Sequence, residues 1–209
     1  VEPLPRGVYF QRQVPGLPMS ATFVANGHDA CVLGVNRQIV KRFGAHPFVF
    51  CGVVGPLVLG PALAQEIGSV VRTLAAAFGL RGLGSLDFML DGEHIAVLEV
   101  NPRPPASLAL YLDRAPMQAH LQACLHGELP TPAAHRAGPV QGSEIVFARR
   151  PMRLGDAAAR ELAAWPQCHD LPCVGSVFAA GDPLCSLTAQ GRSADDVIGR
   201  RGLRQISDA

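Results

Sequence analysis

The sequence predicts an α+β fold in which antiparallel strands pack against a few helices. Short apolar runs alternate with Gly, Pro, Asn and Asp turn residues, as in an antiparallel meander. One long segment, residues 61–78, repeats its apolar residues at helical spacing. Hydrophobic residues make up 48% of the 209 residues and charged residues only 17%, which favours a large buried core over disorder.

The first part of the chain is predicted to hold three short strands and then a glycine-rich apolar segment. Pro15-Gly16 ends the first strand and Asn26-Gly27 ends the second. The fourth segment is typical of a buried loop or a short strand. In chain order, the four segments cover residues 8–14, 20–25, 30–40 and 47–60.

Two helices are expected in the middle of the chain. Pro61 suits the first helical position of the segment 61–78, and Gly79 is a natural end for it. A second helix is predicted over residues 115–125, ended by Gly127. Both helices carry apolar residues that can face a sheet.

The distribution of Pro and Gly predicts a division of the chain into two parts. Residues 1–126 form the main domain, residues 127–140 a linker and residues 141–209 a small β-rich extension. The extension is expected to contain a short Ala-rich helix over residues 157–164 and a hairpin around Gly181-Asp182. Its predicted strands read SEIVFA, CVGSVFA and PLCSLTA.

Composition argues against several classes of protein. The net charge is +1 and no basic run occurs, which disfavours a nucleic-acid surface. No apolar stretch approaches the roughly 18 residues of a membrane span. The six cysteines form no C-x-x-C pair, which favours reduced thiols and a cytoplasmic location. Since the chain starts with Val, we expect further residues upstream in the native protein.

The segment 82–104 holds the most informative cluster of polar residues. Asp87 lies on one predicted strand, residues 84–90, and Glu99 lies on the next, residues 94–100. Asn101 and Arg103 follow, and the alternation places them on the same face as Glu99. Carboxylate and amide oxygens suit Mg²⁺, and a guanidinium suits phosphate. The alternative interpretation is a solvated strand face with an ordinary Glu–Arg pair.

A shared metal ion requires one particular strand register. Asp87 lies opposite Glu99 only if Leu90 pairs with Ala96, which leaves a loop over residues 91–95. Opposed side chains then lie about 5 Å apart at Cβ. A tight two-residue turn after Leu90 would put the carboxylates on opposite faces of the sheet. The metal hypothesis therefore predicts a long loop.

Two stretches of this sequence resemble the C-terminal half of the ATP-grasp fold. GLGSLDF followed by LEVNPRP resembles the metal-binding strands of that superfamily, and YFQRQVPGLPMSATFVANG resembles its adenine hinge and the following strand. The resemblance covers residues 8–125. It implies an ATP-grasp C-terminal subdomain and an ATP-dependent ligase that joins a carboxylate to an amine, or to a thiol, through an acyl phosphate. GDPLCSLTAQG resembles the hairpin that closes the extension in several such ligases.

The resemblance assigns roles to the polar cluster. Asp87 and Glu99 would ligate the Mg²⁺ that bridges the ATP phosphates, with help from Asn101. Arg103 would be catalytic and would steady the transferring phosphoryl group or the acyl phosphate. The expected cofactors are therefore ATP and Mg²⁺.

The resemblance also implies an adenine pocket. Gln11, Gln13 and Val14 would lie at the hinge. Met89 and Leu98 flank the metal ligands and would pack under the adenine ring, with plain core packing as the alternative. The position where many relatives carry a ribose-binding acidic residue is occupied by another residue type, Pro18.

A weaker candidate region follows the third predicted strand. In the family's fold this region can face the phosphates or the acid substrate, but a solvated strand end is the favoured interpretation. Its residues are Asn36, Arg37, Gln38, Lys41 and Arg42.

Three functions stay open at this stage. The first is a ligase whose full activity needs an upstream subdomain, which would carry a phosphate-binding Lys and a Gly-rich loop. The second is a non-catalytic nucleotide-binding or scaffold module, and the third is a carboxylase-type enzyme. The partners expected for the ligase are small-molecule carboxylate and amine substrates, with no nucleic acid and no membrane, and a homodimer is left open.

Overall fold

The computed structural model describes residues 7, 10–131 and 139–199, and these contain ten strands and four α-helices. A 3₁₀ helix covers Ala106–Arg114. The α-helices are α1 (Pro61–Phe78), α2 (Pro116–His126), α3 (Asp156–Ala164) and α4 (Ala194–Gly199). The strands are β1 (Leu17–Asn26), β2 (Ala30–Phe43), β3 (His46–Leu57), β4 (Arg81–Asp91), β5 (His94–Asn101), β6 (Val140–Phe147), β7 (Met152–Arg153), β8 (Cys168–His169), β9 (Val177–Phe178) and β10 (Pro183–Gly191).

Eight of the strands form one antiparallel sheet in the order β5-β4-β1-β2-β3-β6-β10-β8. The short strands β7 and β9 form a separate two-stranded ribbon. The predicted α+β class with an antiparallel sheet and packed helices is therefore confirmed. None of the helices in the described ranges combines the length and the hydropathy that a bilayer span requires.

Helix α1 covers one face of the sheet and forms the main core there. It begins at Pro61 and ends at Gly79, which adopts a left-handed conformation with φ 61°. Ile67 and Val71 are buried against Phe23 of β1 and Phe88 of β4. Each such side chain contributes about 1.5–3 kcal/mol through burial. The periodicity of the helix therefore fixes which face of the sheet is apolar.

The opposite face of the sheet is divided between a second core and an open polar surface. Tyr111 of the 3₁₀ helix and Ala123 of α2 are fully buried against Val24 and Leu83. Beyond this packing, Ser20 and Thr22 of β1 lie on the same face, since side chains alternate along the strand. This polar part of the sheet is where a site can form.

The β4–β5 hairpin pairs Asp87 with Glu99 as predicted, but the feature that sets this register is not the predicted loop. Asp87 lies opposite Glu99, while Leu90 pairs with Ile95 around a tight turn. The expected long loop was therefore wrong. A β-bulge with Leu98 as the extra residue supplies the one-residue shift of register instead.

Several other element predictions can be compared with the structure. Residues 10–14 form no strand, against the prediction for residues 8–14, whose first two residues lie outside the described ranges. The apolar segment 47–60 is mostly the long strand β3. The hairpin around Gly181-Asp182 was also wrong, because β9 pairs with β7 whereas β10 pairs with β6 and β8.

The β-rich extension continues the sheet of the main domain. β6 pairs with β3 in the register Gly52↔Glu144 to Gly55↔Gln141. Half of the proposed linker, residues 132–138, lies outside the described ranges. The division into a main domain, a linker and an extension stays a prediction.

Candidate functional site

An open cavity of about 1220 Å³ lies over the polar face of the sheet, between the segment before β1 and the β4–β5 hairpin. All nine of the predicted site residues contribute to its walls, although they come from three separate parts of the chain. They are Gln11, Gln13, Val14, Asp87, Met89, Leu98, Glu99, Asn101 and Arg103.

Three side chains form an acidic cluster in the floor of this cavity. Asp87 and Glu99 are directly opposed on β4 and β5, and Asn101 lies on the same face one pleat further along. The Asn101 Nδ2 group donates to Asp87 Oδ2 at 3.4 Å and to Glu99 Oε1 at 3.2 Å. The bulge therefore brings two carboxylates and one amide within hydrogen-bonding distance of a common point.

The pKa of the Asp87 carboxyl reflects the close packing of these groups. Burial raises the pKa of the Asp87 carboxyl above its ordinary value, and the charge of Glu99 adds to the effect. Hydrogen bonds from Gln38 and Ser85 and the charge of Arg103 act in the opposite direction. A partly buried carboxylate with a second carboxylate beside it favours a bound cation.

This donor set fits Mg²⁺ by its chemistry. Mg²⁺ binds hard oxygen ligands and is held by one or two carboxylates, with water and phosphate oxygens completing its shell. Asp87 and Glu99 supply the carboxylates, and the Asn101 amide presents its oxygen when it is turned over. Only two of the three groups are carboxylates, and no group of three or more His, Cys, Asp or Glu residues suited to a metal occurs within the described residues.

Arg103 lies at the end of the acidic cluster, just after β5. Its backbone N–H donates to the Asn101 carbonyl at 2.9 Å, which holds the start of this loop against the strand. Its side chain is exposed and lines the cavity. An exposed guanidinium beside an acidic cluster is suited to an anionic group that enters from solvent.

The segment before β1 forms the opposite wall of the cavity. Gln11 and Gln13 are exposed and Val14 is half-buried. Gly16, with φ 125°, passes so close to β4 that an added Cβ would lie 2.6 Å from the Leu90 carbonyl oxygen. Only glycine permits this approach, which ties the segment to the end of β4.

Gln38 on β2 is a site residue that sequence reasoning undervalued. It lies within a strand that continues to Phe43, so the interpretation as a solvated strand end was wrong. Its side chain hydrogen-bonds the Asp87 carboxyl and lines the cavity. The only indication in the sequence was that Gln38 is polar. In a strand longer than predicted, strict alternation puts its side chain on the face that the cavity covers.

The neighbours of Gln38 have other roles. Asn36 is fully buried, Arg37 pairs with Asp195 at 3.1 Å, and Lys41 pairs with the buried Glu144. These contacts make Asn36, Arg37 and Lys41 part of the scaffold.

A buried polar network lies directly beneath the cavity. Tyr111 donates its hydroxyl to Asn36 Oδ1 at 2.6 Å, and the Asn36 Nδ2 group donates to Thr22 at 3.1 Å. Thr22 Oγ1 lies 2.6 Å from the hydroxyl oxygen of Ser107, which lines the cavity. Burial raises the pKa of Tyr111 well above its ordinary value, so its hydroxyl stays protonated. The network joins β1 and β2 to the segment that follows Arg103.

Comparison with known proteins gives an independent result. The ATP-grasp domain family matches residues 3–107, half of the chain. The chain is also 30% identical over 80 residues to the carbamoyl phosphate synthase large chain of Thermus thermophilus. That match covers 38% of this chain and 8% of the relative, so it concerns one segment of a much longer protein.

Two solved structures resemble the whole fold. One is N5-carboxyaminoimidazole synthase from Aspergillus clavatus, in complex with ADP and 5-aminoimidazole ribonucleotide, with a TM-score of 0.66 and 17% identity. The other is L-amino acid ligase from Bacillus licheniformis, with a TM-score of 0.61 and 16% identity. Each match covers 92% of this chain, which spans 52% of the first structure and 50% of the second.

Proposed function

This chain belongs to the ATP-grasp family, and from that premise we propose that it binds ATP with Mg²⁺ and takes part in joining a carboxylate to an amine. The observation that carries the proposal is the opposition of Asp87 and Glu99 beside Asn101 in the floor of a cavity that Arg103 also lines. Resemblance to the ligases named above supports the reaction class.

The proposed reaction has two steps. A carboxylate oxygen of the substrate attacks the γ-phosphorus of ATP, the bond to the β-phosphate oxygen breaks, and ADP leaves. The amine nitrogen then attacks the acyl carbon, inorganic phosphate leaves, and the amine loses one proton to solvent. Such phosphoryl transfer depends mainly on positioning and on charge stabilisation.

The residues of the cavity supply both requirements. Asp87, Glu99 and Asn101 would hold Mg²⁺, which neutralises charge on the phosphates when it is bound. Arg103 would offer its planar guanidinium to the transferring phosphoryl group and to the acyl phosphate. Gln38 orients Asp87, since its side chain bonds that carboxyl.

The other end of the cavity suits a purine ring. Met89 and Leu98 line it beside the acidic cluster, and Leu98 is 44% exposed, which is unusual for a leucine with a purely core role. Gln11, Gln13 and Val14 face them from the segment before β1. We propose that the adenine lies between these two walls.

The rest of the ATP site is proposed to lie outside this sequence. The chain spans about half of the solved structures that it resembles. The resemblance assigns a phosphate-binding Lys and a Gly-rich loop to a preceding subdomain, and full activity is proposed to need it. A cytoplasmic location is proposed as well, because free thiols are typical of a reducing compartment.

A thermal-shift titration with Mg²⁺-ATP tests the metal assignment. The wild-type chain is compared with the double variant Asp87→Asn/Glu99→Gln. A ligand that binds only the native state adds RT ln(1 + [L]/Kd), about 2.7 kcal/mol at a hundredfold excess over Kd. We expect a rise in Tm that the variant loses.

The matched control is Asp91→Asn/Glu93→Gln, which removes two carboxylates from the exposed end of the same hairpin. It should retain the full shift. A full shift in the Asp87/Glu99 variant would refute the metal assignment. ADP release in the presence of carboxylate and amine, measured on this chain together with the proposed preceding subdomain, separates a ligase from a module that only binds nucleotide.

A further inference from the structure

A second cavity of about 1130 Å³ adjoins the first, and the two share Phe50, Val53 and Ala106 as a common wall. The second cavity lies between the 3₁₀ helix, strands β6 and β10, and residues 165–170 of the extension. The last of these walls is an edge of the eight-stranded sheet, since β8 pairs with β10 and with no other strand of the described ranges. Only two residue pairs hold β8, which makes it the most weakly attached strand of this sheet.

Two buried cysteines lie side by side at this edge. Strands β8 and β10 are antiparallel, and Cys168 lies opposite Leu187. Because side chains alternate along a strand, Cys168 and Cys185 share one face. They are 6% and 4% exposed and belong to one apolar cluster. Their thiols hydrogen-bond each other, so the two sulfur atoms are in contact.

The spacing of this pair is close to that of a disulfide. Cys168 and Cys185 are diagonal neighbours on facing strands, and such neighbours lie about 7–8 Å apart at Cα. A disulfide spans about 4.4–6.8 Å between its Cα atoms. The difference is about 1 Å, and an edge strand that is held by two residue pairs can shift by that amount. A bond between the two sulfur atoms is therefore within reach of the fold.

A metal site is the other common use of paired cysteines, but it needs three or four protein ligands. Within the part of the chain that the structure describes, no His, Cys, Asp or Glu residue completes such a set with this pair. Two thiols in contact on adjacent strands are instead suited to a two-electron oxidation.

We propose that Cys168 and Cys185 form a redox-active dithiol, which a small-molecule disulfide of the glutathione type oxidises to an intramolecular disulfide. The Cys168 thiolate attacks one sulfur of the small disulfide, a small thiolate leaves and a mixed disulfide forms. The Cys185 thiolate then attacks the Cys168 sulfur, and the second small thiolate leaves. Two electrons pass from the protein to the small disulfide, and the two thiol protons end on the released thiols. The site does not rest on the proposed ligase function.

The closed fold makes this oxidation slow. Burial and the contact with Cys168 raise the pKa of Cys185 to about 12, so its thiolate is scarce while β8 is in place. Local opening of the edge strand exposes both thiols. Once formed, the bond joins β8 to β10 covalently and fixes residues 165–170 as a wall of the second cavity. In a reducing compartment such bonds are usually transient, which suits a response to oxidising conditions.

Oxidation with excess oxidised glutathione, followed by alkylation and tryptic mass mapping, tests the proposal. Residues 161–192 form one tryptic peptide, because no Lys or Arg lies between Arg160 and Arg192. The exposed Cys173 lies in the same peptide, so the experiment uses Cys173→Ser. We expect a peptide that is lighter by two hydrogen atoms, resists alkylation and is restored by dithiothreitol. A peptide that is alkylated at both cysteines, or that carries only glutathione, would overturn the proposal.

The other buried cysteines of the same sample are the matched control. The thiols of Cys31 and Cys51 hydrogen-bond backbone carbonyls, and both residues should be recovered in alkylated form. The same oxidation in urea should distribute the bonds over all the cysteines. An identical pairing pattern in the native and the unfolded chain would show that the fold does not bring Cys168 and Cys185 together.

Thermal unfolding of the oxidised protein tests the effect on the edge strand. The bond closes a loop of about 17 residues, for which chain entropy predicts a rise in Tm of about 5–10 °C. An unchanged Tm would show that the bond does not hold β8 to the sheet. Asp87→Asn/Glu99→Gln should oxidise as the unaltered chain does, so a failure of Mg²⁺-ATP binding leaves the dithiol proposal intact.

Discussion

The two cavities share a wall but are built in different ways. The acidic cluster of the first cavity comes from two adjacent strands within 15 residues of sequence, from Asp87 to Asn101. The second cavity combines residues from Phe50 to Gln190, several of them in segments without long strands. The first cluster is a local pattern carried by one hairpin, whereas the second cavity forms only when β3 and β6 have paired.

This difference indicates which contacts each cavity depends on. The first is supported from below by the buried Asn36 network and from the side by Gln38. The second depends on the β3–β6 junction and on the packing of residues 165–170 against β10. Changes at the junction, beneath the first cavity and inside its floor should therefore have effects of decreasing size.

Gly52→Ala should have the largest effect, because it disrupts the pairing of β3 with β6. Gly52 has φ 148°, and an added Cβ would lie 2.1 Å from the backbone oxygen of Ser143. We expect a loss of about 3–4 kcal/mol in the free energy of unfolding. Urea denaturation followed by Trp165 fluorescence and by circular dichroism measures this loss, and separate transitions would show that the extension unfolds first.

Gly60→Ala is the control for that change. An added Cβ at Gly60 meets no atom within 4 Å, and because Gly60 is the N-cap of α1, where Ala is less favourable than Gly, we expect a loss of at most about 1 kcal/mol. Equal stability of the Gly52 and Gly60 variants would show that the two regions are not joined through this contact.

Asn36→Leu should have the next largest effect. Asn36 is fully buried, accepts from Tyr111 and donates to Thr22, so its removal leaves buried polar groups with fewer partners. The expected loss is about 2–3 kcal/mol in the free energy of unfolding, measured by urea denaturation. In a Tyr111→Phe background the same change should cost about 1 kcal/mol less. Simple additivity would contradict the network.

Gln38→Leu should weaken ligand binding with little effect on stability. Loss of one hydrogen bond to Asp87 predicts about a fivefold higher Kd for Mg²⁺-ATP, measured by calorimetry. Arg37→Leu is the matched control, because the neighbouring residue pairs with Asp195 and does not line the cavity. If both variants bind alike, Gln38 has no special role.

Thiol alkylation compares the two regions by the rate of labelling, since a buried thiol reacts only when the structure around it opens. Cys173 is exposed and should react first with iodoacetamide, and Cys173→Ser should remove this fast phase. Burial raises the pKa of Cys31, and burial together with Cys168 raises the pKa of Cys185 to about 12. Both thiols therefore stay protonated near pH 8 and should react slowly. Faster labelling of Cys185 than of Cys31, detected by mass spectrometry, would show that the second region opens more readily.

Much of the main domain was predictable because its signals are local. The limits of α1 followed from Pro61, Gly79 and the spacing of apolar residues between them. The opposition of Asp87 and Glu99 was correct, but the long loop was wrong, since a bulge changes the register without any turn residue to signal it. Bulges depend on how neighbouring strands twist and pack, and a single strand does not show that.

The sequence by itself determined the apolar face of the sheet, the ends of the two main helices and the set of residues around Asp87. Periodicity and turn chemistry act within a few residues, which makes these features readable along the chain. Only the tertiary structure decided that Gln38 bonds Asp87, that β10 pairs with β6 rather than with β9, and that Asp170 faces a cavity beside the first. Such contacts join distant segments, and their energy depends on packing that no local pattern records.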